Sequence, residues 1–142
     1  MWFVVASLAA GCAGNTTSPT SPSGADGSSA LSASQVAGTW SLSSIQPAGQ
    51  AEQPVPSGAA YDLSLGDGRA STRADCNVCS GALGVSGSTV TIGPALACTR
   101  AACATMAYET EYVALLAGDN TAEIGANTLT LTSSRGRLRF RR

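Results

Sequence analysis

Asp75–Cys103 reads DCNVCSGALGVSGSTVTIGPALACTRAAC and carries four of the five cysteines, Cys76, Cys79, Cys98 and Cys103. Between the two cysteine pairs the residues alternate. Ser80–Val85 and Thr89–Ile92 read as strands, and Ser86-Gly87 reads as the turn joining them. One C-x-x-C and one C-x-x-x-x-C on either side of a hairpin have two readings, a four-thiolate zinc site or a pair of disulfides. Spacing leaves both open, and the redox compartment decides between them. Redox catalysis fits less well. A thioredoxin-like C-x-x-C opens a helix after a strand, whereas Cys76-x-x-Cys79 leads through Ser80-Gly81 into another strand.

The same period of two extends outward in both directions. Gly38–Ile45 alternates and puts Trp40 and Leu42 on one face. Pro47–Gly58 holds three prolines and two glycines and is a loop. Tyr61–Leu65 and Arg69–Ala74 flank the tight turn Gly66-Asp67-Gly68. Downstream, Ala122–Ile124, Leu129–Leu131 and Leu138–Phe140 are separated by turns at Gly125–Asn127 and Ser133–Gly136. About eight short strands result, which favours an antiparallel meander or barrel over a parallel sheet.

One segment breaks the period. Over Thr105–Ala117, the residues Tyr108, Tyr112, Leu115 and Leu116 fall on one helical face, so a single α-helix is expected at about 105–117. Thr105 suits the N-cap, Glu109 and Glu111 lie toward the positive end of the helix dipole, and Gly118 suits a left-handed end. The two tyrosines read as core, with a ligand box as the rival reading.

Composition narrows the function classes. The chain has 142 residues, 12% of them charged, and a net charge of −1. No nucleic-acid partner follows from that balance. There is no histidine, which removes the commonest general base and metal ligand. No nucleophile–base pair and no phosphate loop is legible, so no enzyme and no cofactor is expected.

The N-terminus speaks to location. MWFVVASLAAGC is too short to span a bilayer and reads as a secretory signal over residues 1–11. Leu8-Ala9-Ala10-Gly11-Cys12 resembles a bacterial lipobox, which implies cleavage before Cys12 and lipidation of its sulfur. Met1 is followed directly by Trp2, so the basic residues that usually open such a signal are expected upstream. Residues 12–34 are rich in Ser, Thr, Gly, Pro and Ala and read as a disordered tether, with the folded domain over 35–142. Export favours disulfides over zinc.

Five short motifs come in a recognisable order. They are Gly38-Thr39-Trp40, Cys76-Asn77 with Ser80-Gly81, Thr99-Arg100 leading to Cys103, Glu109 or Glu111 before Tyr112, and Leu129-Thr130-Leu131. Together, behind a lipobox, they resemble the META domain of the heat-shock, HslJ-like family of exported bacterial lipoproteins. The resemblance runs over roughly Val36–Phe140. It implies a small, mostly antiparallel β-barrel with one helix and no catalytic residue. It also implies a loose link to heat shock, stress tolerance and the cell envelope. The cysteines of the family pattern are Cys76 and Cys103, so the resemblance pairs these two and leaves Cys79 with Cys98. Neighbours three apart on extended chain face different ways, which agrees with bonding across rather than locally.

Remaining candidates read as structural. Asp62, Asp67 and Asp75 lack calcium-loop spacing and suit turns. Asn77 suits a backbone bond within its turn. Arg135, Arg137, Arg139, Arg141 and Arg142 make a basic end whose odd-numbered members share a face. Edge-strand protection is the favoured reading, with anionic headgroups or wall polymers as the other. The expected function is therefore a non-catalytic envelope protein, held to a membrane through Cys12, that binds a protein or envelope component. A small-ligand-binding barrel with a cavity under Tyr108 and Tyr112 is the alternative.

Overall fold

Alternation decides the strands. Along Tyr61–Gly66 every second side chain is buried, Tyr61, Leu63 and Leu65, and the partner strand buries Ala70, Thr72 and Ala74 in the same rhythm. The computed structural model describes residues 30–142. Its elements, in order, are α1 (Ala33–Val36), β1 (Gly38–Pro47), β2 (Gln53–Pro54), β3 (Tyr61–Gly66), β4 (Arg69–Ala74), β5 (Asn77–Ser86), β6 (Thr89–Ile92), β7 (Ala97–Cys98), α2 (Met106–Leu116), β8 (Gly118–Ile124), β9 (Thr128–Ser133) and β10 (Gly136–Arg141).

Eight of these strands form a closed antiparallel barrel in the order β1-β3-β4-β5-β6-β8-β9-β10, with β10 returning to β1. The two-residue strands β2 and β7 lie outside that ring, on β1 and β5. The first half of β1 pairs with β3 and the second half with β10. A register shift between Leu42 and Ser44 separates the halves, and a bulge of this kind bends a strand where a barrel must turn. Pairing on both sides also corrects the reading of the C-terminal strand. β10 carries β9 on one side and β1 on the other, so it is not an edge and its arginines protect none.

The interior is packed with side chains. Leu138 faces Leu131 and Phe140 faces Leu129 across β9 and β10, all four buried. Helix α2 covers one mouth, in contact with β10, β1 and β4. Its Tyr108, Tyr112, Leu115 and Leu116 are buried, as the apolar stripe implies. The helix covers 106–116, and Gly118 follows its last cap residue at φ +86°. Thr105 stands at the N-cap position, yet its hydroxyl makes no cap bond because stronger partners on the barrel take it.

The opposite mouth is covered by the chain's entry. Val36 is fully buried, the Trp40 indole Nε1 donates to the Val36 carbonyl at 2.8 Å, and the Leu31 amide donates to Gly87 at 2.7 Å. Leu31 packs against the core and Val36 belongs to it, so the fold draws on residues before and after Gln35. Cys12, the expected signal and most of the expected tether lie outside the described residues.

Candidate functional site

The organising stretch folds into a cross-linked corner at the α2 mouth. Asp75, at φ +55°, turns the chain between β4 and β5. Cys76 then meets Cys103 with Cα atoms 5.6 Å apart, and Cys79 meets Cys98 with Cα atoms 4.0 Å apart. The second distance lies below the usual lower edge of about 4.4 Å; Cys79 and Cys98 are direct register partners of β5 and β7. The sulfurs are bonded in pairs rather than converging on one point. Cys76 is exposed, whereas Cys79 is fully buried.

Asn77 sits between the two bridges, fully buried, and is the hub of the corner. Its Nδ2 donates to the Ala101 carbonyl and to both carboxylate oxygens of Glu109, each at 3.0 Å. Its Oδ1 accepts from the Ala101 amide at 2.7 Å and from the Thr99 hydroxyl at 2.9 Å. The amide thus fastens the irregular segment after β7 to the barrel rather than bonding within its own turn. A buried amide with both ends satisfied is a structural device.

A second polar chain runs beside it. The Thr105 hydroxyl donates to Asp75 Oδ2 at 2.7 Å, which leaves the Tyr61 hydroxyl to donate to Thr105 at 2.7 Å. Deeper in, the Thr72 hydroxyl donates to the Asp62 carbonyl at 2.6 Å and receives the Tyr112 hydroxyl at 2.7 Å. Burial pushes the phenols of Tyr61, Tyr108 and Tyr112 up. The carboxylates of Asp75 and Glu109 add to the rise at Tyr61, against the Thr105 bond. All three tyrosines are therefore neutral donors at ordinary pH. The ring of Tyr61 packs edge-on against Tyr108 and Tyr112, at 5.1 and 5.3 Å between centroids. These contacts fill the space beneath the two helix tyrosines, where the ligand-box reading places a cavity.

Several structural residues escaped the sequence reading. Asn120 is buried and its Nδ2 donates to the Leu116 carbonyl at 3.0 Å, satisfying the end of α2. Arg135 donates to the Ala117 carbonyl at the same helix end. Asn120 had a signal, a polar residue in phase with the inward-facing Ala122 of β8.

The concave ground on the outside of the barrel lies elsewhere. A hollow of about 550 Å³ crosses the outer face of β1, β10 and β9, lined by Ser44, Glu52, Glu123, Thr128, Thr130, Arg137, Arg139 and Arg141 among others. Glu52 pairs with Arg139 at 3.6 Å and accepts the Ser44 hydroxyl. Arg142 leaves the row: its guanidinium lies 4.1 Å from the Trp40 ring centre. A more apolar hollow of about 520 Å³ opens beside α1, between Ala33, Ala37, Leu65, Leu83 and Val85.

Two solved structures share this architecture. The NMR structure of a protein from Burkholderia xenovorans is 27% identical, with a TM-score of 0.61 over 73% of this chain and 80% of that one. A second NMR structure is 24% identical, with a TM-score of 0.62 over 78% of this chain and 94% of that one, and speaks to the fold. No curated protein matches the chain. A META domain matches residues 33–142, which takes in both helices and every strand of the barrel, and the chain therefore belongs to the META domain family.

Proposed function

We propose that this META-domain protein is a non-catalytic, lipid-anchored component of the bacterial cell envelope. In this reading it supports envelope stress tolerance by binding a protein or envelope component. The observation that carries the reading is the pair of disulfides, Cys76–Cys103 and Cys79–Cys98, at one mouth of the barrel. Bridges of this kind persist in oxidising compartments, and a small barrel gains most from them there. Ala9-Ala10-Gly11-Cys12 supplies the means of export and attachment. The polar groups of the corner serve structural bonds, which supports a binding rather than a catalytic role. Tyr61 packs on Tyr108 and Tyr112 where the small-ligand alternative places its cavity, which supports the first reading.

The test is fractionation of a bacterial host producing the full chain. The wild type is expected in the membrane fraction, with mass spectrometry showing an acylated N-terminal Cys12. Cys12→Ser is expected in the soluble fraction with both bridges intact. A Cys12→Ser protein that still sediments with membranes overturns the anchor.

A further inference from the structure

We propose that the outer face of β1, β10 and β9 is a binding groove for an acidic polysaccharide, one that carries both carboxylates and free hydroxyls. This rests on the binding part of the function proposed above and gives that component a chemical class; it does not rest on the anchor.

The arginines come first. Five of the eight lie within the last eight residues. Arg137, Arg139 and Arg141 alternate along β10, so they share its outer face at steps of about 6.7 Å. Because β10 is paired on both sides, this row stands in the middle of a sheet face, where edge protection explains nothing. Among the described residues only Arg139 has an ion-pair partner, Glu52 at 3.6 Å. The Nε of Arg137 is buried and has no hydrogen-bond partner among them. That N–H lies below the reach of solvent; Arg137 itself lines the hollow, where its charge favours an anion.

The neighbours of the row narrow the ligand. Thr132, Thr130 and Thr128 of β9 stand directly opposite Arg137, Arg139 and Arg141, and Gln46, Ser44 and Ser41 of β1 stand opposite the same three. Each arginine is thus flanked on both sides by a hydroxyl or amide. Glu52 and Glu123 also line the hollow. Sugar hydroxyls can donate to these two carboxylates, whereas the repeating units of polyphosphate have no hydroxyl to offer them. From Arg137 to Arg141 the row runs about 13 Å along β10, so a single polymer strand can meet all three arginines at once. Uronate carboxylates match the arginines, and ring hydroxyls match the threonines and glutamates.

The probe is a defined oligogalacturonate, titrated by calorimetry into the full chain carrying Cys12→Ser, which keeps this measurement independent of acylation. Saturable binding is expected that weakens with added salt. Arg137→Gln with Arg139→Gln is expected to weaken it about tenfold or more, while Arg69→Gln leaves it unchanged. Thr130→Val is expected to weaken galacturonate binding about threefold through the lost hydroxyl contact. Thermal melts of each variant confirm that the fold is kept. The groove is overturned by no binding at millimolar oligomer, by equal or tighter binding of polyphosphate or of phosphatidylglycerol vesicles, or by an equal loss in Arg69→Gln. Failure of the anchor shows in fractionation alone and leaves these outcomes as they are.

Discussion

Asn77 and Glu109 meet at the α2 mouth of the barrel, with the side-chain nitrogen of Asn77 3.0 Å from both carboxylate oxygens of Glu109. Both residues are buried. The amide thus places a donor against a carboxylate on α2 and an acceptor against the segment that carries Cys98 and Cys103. One side chain from β5 holds helix, loop and barrel together.

Replacing that donor by an acid is the sharpest test of the hub. Asn77→Asp is expected to lower stability by more than about 2 kcal/mol near neutral pH, since two carboxylates then share one buried site. Such a pair binds a proton more readily folded than unfolded, so folded-state pKa values rise. Stability is then regained as pH falls. Asn77→Ala is expected to be comparably destabilised but to recover less on acidification, since only one carboxylate is then left at the site. Urea midpoints of the two variants at about pH 7 and pH 4 separate these outcomes, and parallel pH profiles would count against the pair.

The two bridges are expected to differ in lability. Cys76 is exposed and Cys79 fully buried, so a mild reductant reaches Cys76–Cys103 first. That bridge closes a separation of 27 residues, and its loss is expected to cost about 3 to 4 kcal/mol on the loop-entropy account. The inner bridge adds less, because its ends are already confined. Alkylation and peptide mapping at rising reductant reads the order. Simultaneous reduction of both pairs, or equal denaturation midpoints with and without reductant, would contradict it.

Alkaline pH probes the three tyrosines. Burial raises all three phenols above the ordinary value of 10.0. A group raised in the folded state contributes stability that is fully present below its unfolded pKa and is lost as pH climbs through the folded one. Unfolding is therefore expected to begin above pH of about 10. Phenolate absorbance should appear together with the loss of the circular dichroism signal. Tyr112→Phe is expected to lower neutral-pH stability by about 1 kcal/mol through the lost Thr72 bond and to soften the alkaline transition. Gradual phenolate formation in an intact fold would refute the burial account.

The fold was largely legible because a period of two is hard to counterfeit. The eight alternating segments are the eight barrel strands, and the stripe of Tyr108, Tyr112, Leu115 and Leu116 is the buried face of α2. What escaped depends on partners far away in sequence. Nothing local tells that β10 has two neighbours, so its arginines looked like an edge. Asn77 looked like a turn residue, because Glu109 lies 32 positions away. The two-residue strands β2 and β7 are too short to show a period and owe their pairing to β1 and β5. Helix α1 has a single turn, and its burial hangs on Val36.

Gly136 allows a test of closure. It opens β10 at φ +147°, and a Cβ there would overlap the Gln46 carbonyl oxygen and press Leu115 Cδ2 and Pro47 Cα, both at 2.9 Å. Backbone on that side cannot retreat without parting β10 from β1. Gly136→Ala is expected to destabilise by more than about 2 kcal/mol. Gly87→Ala also takes a positive φ but meets nothing within 4 Å, so it is expected to cost about 1 kcal/mol. Matched thermal melts of the two variants check the difference, and equal losses would place the effect in backbone conformation alone.

The seam between β1 and β10 joins the first barrel strand to the last six-residue strand of the chain. During synthesis β1 emerges before the other barrel strands and waits for a partner that emerges after them. No circumferential order can be completed until Gly136–Arg141 has left the ribosome. A chain cut short before β10 offers two raw strands, β1 and β9, to any neighbour in the same condition. Such contacts, so distant along the sequence, also make for slow folding. Truncation products of this protein therefore face a choice between chaperone and aggregate, and the last six residues of β10 act as the switch between a passenger and a folded domain.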